Sequence, residues 1–230
     1  MLFRSPGVYT VTAVKTVTDP DAAFKNFFAA LAGTAGDDVL HGSAGDDIIN
    51  ANDGNDIVYG RAGDDSINGG NGHDILYAED GNDTINGDAG NDTLYGGIGN
   101  DTLNGGADND ILIGGKGNDT LYGGGGSDTY VFNLGDGQDV FDEQDAGSAG
   151  DAVLFGEGIR PEDIIVTQGN GGRDLILSIK GTTDQVTLKN VISMAYAWAR
   201  IEFIRFADGT VLTRQQIADR AIPYTDFELS

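Results

Sequence analysis

The sequence predicts an all-β chain whose centre is a parallel β-solenoid with two nine-residue blocks per coil. A short strand-helix cap precedes it and a β-rich capping domain follows. Three observations predict this. From Gly33 to Val131 the chain divides into eleven consecutive nine-residue blocks without insertion or deletion, and a fixed short period is the mark of a stacked-repeat architecture. The eighth place of each block is large and apolar, from Leu40 to Tyr130, as a buried ladder requires. The ninth place alternates with a period of eighteen, with His41, Tyr59, Tyr77 and Tyr95 in odd blocks and Asn50, Asn68, Asn86 and Asn104 in even ones. Two blocks per coil, one on each face, explain that alternation.

The elements follow in order. Residues 1–32 form the N-terminal cap, with an alternating strand over 8–18. A helix then opens at Asp19-Pro20, presents Phe24, Phe27, Phe28 and Leu31 on one face, and ends at Gly33. Its apolar face is expected to cover the open end of the solenoid. The opening "MLFRS" matches the translation of a common sequencing-adapter end, so the chain is expected to be a fragment with a missing upstream portion. Within 33–131, glycines at the first and fourth places suit a tight turn over the first six residues of each block. The last three residues form a short strand. Eleven blocks make five and a half coils, about 25 Å long at a strand spacing of about 4.8 Å. Residues 132–149, "FNLGDGQDVFDEQD" onward, keep glycine and aspartate without the period, and Asp136, Asp139 and Asp142 are candidates for one further cation site. Residues 150–230 turn β-rich: "DAVLF", "DIIVTQ", "DLILSI", "QVTLKN" and "RIEFIRFADGTVLT" read as strands, the last a hairpin turning at Asp208-Gly209. Thr213 then caps a short helix through Arg220.

Charge narrows the function. The chain carries a net −24, and the blocks alone hold nineteen acids against Arg61 and Lys116. That field repels phosphate backbones and anionic lipid, which argues against nucleic-acid or membrane partners. No apolar run reaches the roughly 18 residues of a membrane span, and with no cysteine there is neither a disulfide nor a thiolate metal site. The sixth place is Asp in all eleven blocks: Asp38, Asp47, Asp56, Asp65, Asp74, Asp83, Asp92, Asp101, Asp110, Asp119 and Asp128. Hard cations such as calcium take about six to eight oxygen ligands, so one carboxylate plus turn carbonyls supplies half a shell and two stacked turns complete it.

The pattern resembles the RTX nonapeptide G-G-x-G-x-D-x-U-x over 99 of the 230 residues. The resemblance implies a right-handed parallel β-roll with one Ca²⁺ between block n and block n+2 on each edge. Each ion would take the second- and fourth-place carbonyls and Asp of one turn, with the first- and third-place carbonyls and Asp of the other. The fourth-place ligands are then Gly36, Gly45, Gly54, Gly63, Gly72, Gly81, Gly90, Gly99, Gly117 and Gly126, with Asp108 departing from glycine. About nine ions would offset the charge of the repeats. Residues 150–230 are similar to the domain that follows RTX repeats in secreted bacterial proteins, and the terminal "DFELS" to the uncleaved signal of type I secretion substrates. The implied partners are the type I secretion machinery and an upstream domain of the same protein, and the implied location is extracellular. A monomer is expected.

Catalytic motifs are absent: there is no H-E-x-x-H, G-x-S-x-G, phosphate loop or cysteine nucleophile. His41 and His73 read as solvent-facing substitutions, and the chain is expected not to be an enzyme. The expected activity is calcium-coupled folding, since clustered carboxylates and a thin apolar core leave the metal-free repeats disordered. Two rival readings remain. The even-block row of Ser66, Thr84 and Thr102 with Asn68, Asn86 and Asn104 could be the ice- or carbohydrate-binding face of an adhesin. Alternatively, the chain is the non-catalytic tail of a secreted hydrolase or epimerase.

Overall fold

The computed structural model describes residues 9–10, 29–142, 150–189 and 201–221. A residue at the eighth place and the small residue two positions on, at the first place of the next block, both point inward, because side chains alternate along a strand. That shared inward face makes the strands longer than the three residues the block pattern predicts. Most run six residues, from the seventh place of one block to the third of the next, and only places four to six remain for the turn.

The described elements begin with β1 (Tyr9–Thr10) and β2 (Ala29–Ala32), then β3 (Val39–His41) and β4 (Asp47–Asp53). The roll continues through β5 (Ile57–Ala62), β6 (Ser66–Asn71), β7 (Ile75–Asp80) and β8 (Thr84–Ala89). Next come β9 (Thr93–Ile98), β10 (Thr102–Ala107), β11 (Ile111–Lys116), β12 (Thr120–Gly125) and β13 (Thr129–Phe132). Beyond the repeats lie β14 (Gln138–Phe141), β15 (Ala152–Phe155), β16 (Ile164–Gly169), β17 (Asp174–Ile179) and β18 (Gln185–Leu188). The hairpin β19 (Phe203–Phe206) and β20 (Val211–Thr213) and the helix α1 (Arg214–Ala218) complete the described elements.

Alternate strands build two sheets. One runs β1-β2-β4-β6-β8-β10-β12-β14-β18-β17-β16, the other β20-β19-β15-β13-β11-β9-β7-β5-β3. Pairing is parallel throughout the roll, in a register of eighteen, such as Leu76 beside Leu94. Among the described strands it turns antiparallel only where β16 and β17 join β18, and β20 joins β19. The all-β parallel solenoid is thus as predicted, but its sheets continue past Val131: β14, β15, β18 and β19 stack on the roll in parallel.

Between the sheets lie two columns of eighth-place side chains, Leu40 to Tyr130 on one and Ile49 to Leu121 on the other, all at most 1% exposed. Aromatic rings take over where the repeats end. Phe141 stacks on Tyr130 at 4.8 Å and Phe206 on Phe155 at 5.5 Å, filling a cross-section that one aliphatic residue per strand no longer fills. At the other end Leu31 pairs beside Ile49 in β2. The helix expected from Asp19 to Gly33 therefore does not hold over 29–32, where extending the sheet buries Leu31 on the column. The rest of that helix, the strand over 8–18 beyond Tyr9–Thr10, and the terminal "DFELS" lie outside the described residues. The expected C-terminal strands, hairpin and helix are present, with the Thr213 N–H donating to Gln216 Oε1 at 2.8 Å. Among the described residues, no helix is long and apolar enough to cross a membrane.

Candidate metal centre

Each turn brings its sixth-place Asp under the strands, and all eleven predicted aspartates are at most 3% exposed. One oxygen has a fixed task. The Oδ1 atoms of Asp56, Asp74, Asp92, Asp110 and Asp128 accept the backbone N–H of the equivalent Asp one coil earlier at 2.7 to 2.8 Å. Asp65, Asp83, Asp101 and Asp119 do the same on the opposite edge. The second oxygen, Oδ2, is buried without a hydrogen-bond partner in every one of these nine. A buried carboxylate oxygen left so costs several times the worth of an ordinary hydrogen bond unless something positive meets it.

What faces that oxygen is a backbone carbonyl. A Cβ added at Gly87, in the first place, would lie 2.5 Å from Asp92 Oδ2 and 2.5 Å from Gly105 O of the next coil. At Gly105 the corresponding distances are 2.4 Å to Asp110 Oδ2 and 2.7 Å to Gly123 O. An orphaned carboxylate oxygen and a carbonyl thus converge on one small space at Gly60, Gly69, Gly87, Gly96 and Gly105, where the first place is glycine. Non-glycine residues at the second place, Asn52, Arg61, Glu79 and Asp88, are held at φ +70° to +86°, conformations that recur only where the surroundings enforce them. All donors are oxygens, so the set fits a hard cation such as calcium. Among the described residues no three acidic or imidazole side chains converge, so the acidic groups meet in pairs at most. The described ion pairs join Arg160 to Glu162 and Asp163, outside the repeats in sequence. Burial accordingly pushes Asp56, Asp83 and Asp119 up to about 6. Asp65, Asp92 and Asp101 rise to about 7, and Asp110 to about 8.

The fourth-place glycines separate into two groups. From Gly54 onward they take positive φ, and each carbonyl packs on the equivalent Cα one coil later; a Cβ on Gly90 would meet Gly72 O at 1.7 Å. Among the described residues Gly36 and Gly45 have no such neighbour, and the first coil also differs at its second place. There the second place is Thr34 or Ser43, whose N–H groups donate to Oδ2 of Asp38 (2.6 Å) and Asp47 (2.5 Å), and Thr34 Oγ1 donates to Asp38 Oδ2 at 2.8 Å. These donors satisfy Oδ2 of Asp38 and Asp47, which the sequence did not advertise, while Asp38 Oδ1 stays buried without a partner. Asp108 accommodates its Cβ at φ +76°, in the left-handed region, and the neighbouring Gly90 N–H to Ala107 O bond lengthens to 3.2 Å. Ala51 and Ala78 sit fully buried at the first place without disturbing the ladder.

Of the three acids considered beyond the repeats, only Asp139 joins. Its Oδ1 accepts Asp119 N–H at 3.0 Å, and burial raises it to about 8. Leu134–Asp142, "LGDGQDVFD", is a twelfth block displaced by two inserted residues, with Gly137 bridging to Gly117. Asp136 Oδ2 instead accepts the Asn133 N–H at 2.6 Å. Neither histidine lies in the ladder of carboxylates. His41 stacks on Tyr59 at 4.8 Å, starting a column that runs on to Tyr77 and Tyr95. His73 sits at the fifth place, where Nδ1 accepts Asn91 N–H at 2.8 Å and its own N–H donates to Asn55 Oδ1 at 2.9 Å. Both are structural links between coils rather than bare surface substitutions.

Residues 32–141 match the RTX calcium-binding nonapeptide repeat in overlapping four-copy windows, 32–67, 59–94, 68–103, 77–112, 95–130 and 104–141. Residues 174–216 match the haemolysin-type calcium binding protein related domain. The chain carries an array of RTX repeats. No curated protein matches it significantly. Among solved structures it is similar to the extracellular lipase LipA from Serratia marcescens, at 21% identity and a TM-score of 0.33. That alignment covers 79% of this chain and 41% of the lipase, so the chain corresponds to less than half of that protein. The AlgE6R3 subunit of the Azotobacter vinelandii mannuronan C5-epimerase aligns at 19% identity and a TM-score of 0.29, covering 93% of this chain and 90% of that one. The repeat family that residues 32–141 match is a calcium-binding one.

Proposed function

We propose that this RTX chain is a folding switch for a secreted protein: unfolded and exportable through a type I secretion machinery at low calcium, folded outside the cell. The observation that carries the reading is the ladder of buried Asp Oδ2 atoms facing carbonyls of the next coil. When bound, calcium supplies the positive charge that these carboxylates otherwise lack. The aspartates from Asp56 to Asp128 and Asp65 to Asp119 then hold the rungs together, with the carbonyls of Gly54, Gly63, Gly72, Gly81, Gly90, Gly99, Gly117 and Gly126 as turn donors. Each interior Asp bridges two intervals, because its N–H and its Oδ1 engage different coils, so loading one interval orders the ligands of the next. Without the cation, mutual repulsion and one apolar residue per strand leave the fold short of stability. Extracellular modules bind calcium at about 10⁻⁴ to 10⁻³ M, which places the switch between cytoplasm and exterior. The chain itself performs no catalysis in this reading and serves an upstream domain of the same protein. Circular dichroism tests it: a coil-like spectrum in EDTA should convert to β-structure with millimolar CaCl₂, and a full β-spectrum in EDTA refutes it.

A second reading has one specific observation in its favour. Thr84, Thr102, Asn86, Asn104 and Tyr122 line a shallow, mainly apolar depression on the even-block sheet, where regularly spaced hydroxyl and amide groups could meet ice or carbohydrate. Thermal hysteresis and glycan binding, with and without calcium, distinguish it.

A further inference from the structure

The two ends of the carboxylate ladder are finished differently. At the start, Thr34 and Ser43 give Asp38 and Asp47 proton donors. At the far end no such closure occurs. Asp128, the last aspartate of the eleven blocks, is fully buried and its Oδ2 has no hydrogen-bond partner. Its turn keeps the cradle conformation, with Gly124 at φ +96° and Gly126 at φ +147°. A turn built in this way needs a rung above it, yet no nonapeptide follows on that edge.

The rung comes from outside the repeats. Asp151, 1% exposed, accepts Asp128 N–H on Oδ1 at 2.9 Å, and Ala152 N–H donates to Asp128 O at 2.9 Å. These are the two bonds that link every pair of rungs inside the roll, as in Asp74 N–H to Asp92 Oδ1 and Thr93 N–H to Asp74 O. The side chains beyond also keep register, with Val153 beside Tyr130 and Leu154 beside Val131. The spacing from Asp128 to Asp151 is 23 residues rather than 18, which hides the equivalence. One rung further on the series stops. Glu202 N–H donates to Asp151 O, and the Glu202 carboxylate is engaged by the Gly150 N–H.

We infer that Asp128 and Asp151 form a further calcium site, outside the nonapeptide array, that clamps the C-terminal domain onto the roll. The inference rests on the calcium reading proposed above. β15 begins at the residue after Asp151, and β19 pairs with β15, so the cation orders the base of the C-terminal hairpin together with the last coil. Folding of the C-terminal domain is then coupled to calcium, although that domain contains no repeats.

Native mass spectrometry of the full chain in saturating CaCl₂ counts the ions. Asp151→Asn keeps the acceptor for Asp128 N–H but loses the charge, and is expected to bind one ion fewer than wild type. Asp151→Glu keeps the charge and is expected to retain the full count, which separates a missing ligand from a missing fold. Hydrogen exchange should show that residues 152–155 and 203–206 need more calcium for protection in Asp151→Asn, while the amides of 75–80 do not. An unchanged ion count in Asp151→Asn, or equal loss in the Asn and Glu variants, overturns the site while leaving the calcium role of the repeats intact. A wild-type chain that takes up no calcium refutes both.

Discussion

Asp92→Asn offers the sharpest test of shared cations. Asp92 belongs to two intervals: its Oδ1 accepts Asp74 N–H and its own N–H donates to Asp110 Oδ1, both at 2.8 Å. Asparagine preserves both backbone bonds and removes only the charge and the Oδ2 that faces the Gly105 carbonyl. Above the binding range, each ion bound only by the folded state adds about 1.4 kcal/mol of stability per tenfold rise in free calcium. Losing two intervals therefore removes about 2.8 kcal/mol per decade from the slope of unfolding free energy against log calcium concentration. Urea unfolding at a series of free calcium levels from about 3 to 30 mM, above the usual range for extracellular modules, measures that slope. Asp38→Asn is the control, because Asp38 ends the ladder and already holds Thr34 donors, so its slope falls by at most half as much. A slope in Asp92→Asn equal to that of wild type would show that the orphaned oxygens hold no shared ions.

Acid should partly replace the metal. Burial raises the folded values of the ladder aspartates to about 6 to 8, above the usual carboxylate range near 4. The metal-free fold therefore holds protons that the unfolded chain releases; that stability is present below about pH 4 and is lost as pH climbs to about 8. In EDTA, β-ellipticity should grow on acidification from pH 8 to pH 5, and a decline would contradict the assignment of these groups. At saturating calcium, Gly99→Ala should cost at least about 1–3 kcal/mol, since its Cβ would lie 1.6 Å from Gly81 O at φ +144°, whereas Gly36→Ala, with nothing within 4 Å, should be nearly silent. Thermal melts compare the two directly. Leu103→Ala should cost about 2–5 kcal/mol by opening a cavity in the eighth-place column, while exposed Thr102→Ala stays within about 0.5 kcal/mol; equal losses would show that the column does not carry the core.

The roll was legible because its period is strict and its eighth and sixth places do single jobs, one filling the space between sheets and the other lying under the strands. Strand length was not, because Gly87 or Gly105 reads as a turn signal when it is a buried strand residue kept small by an Asp oxygen and a carbonyl. Two inserted residues, Phe132 and Asn133, were enough to hide the twelfth block at Leu134–Asp142. Asp151 escaped because its partner is 23 residues away and the residues directly before it carry no block pattern. The Thr34 and Ser43 closures look like ordinary variation at a tolerant place until their N–H groups are seen on Asp38 and Asp47. The strand at Ala29–Ala32 lost to a helical reading because a run of alanines and phenylalanines favours a helix locally, and only the waiting edge of β4 decides otherwise.

The stacked column of His41, Tyr59, Tyr77 and Tyr95 occupies one sheet alone, and the asparagines of the ninth place occupy the other. Gaining or losing a single nonapeptide would transpose every block beyond it to the opposite wall, interleaving phenols with amides and breaking both stacks. The heritable quantum of this architecture is therefore a pair of nonapeptides, and duplications that lengthen such a gene without scrambling its two walls should come in multiples of fifty-four nucleotides.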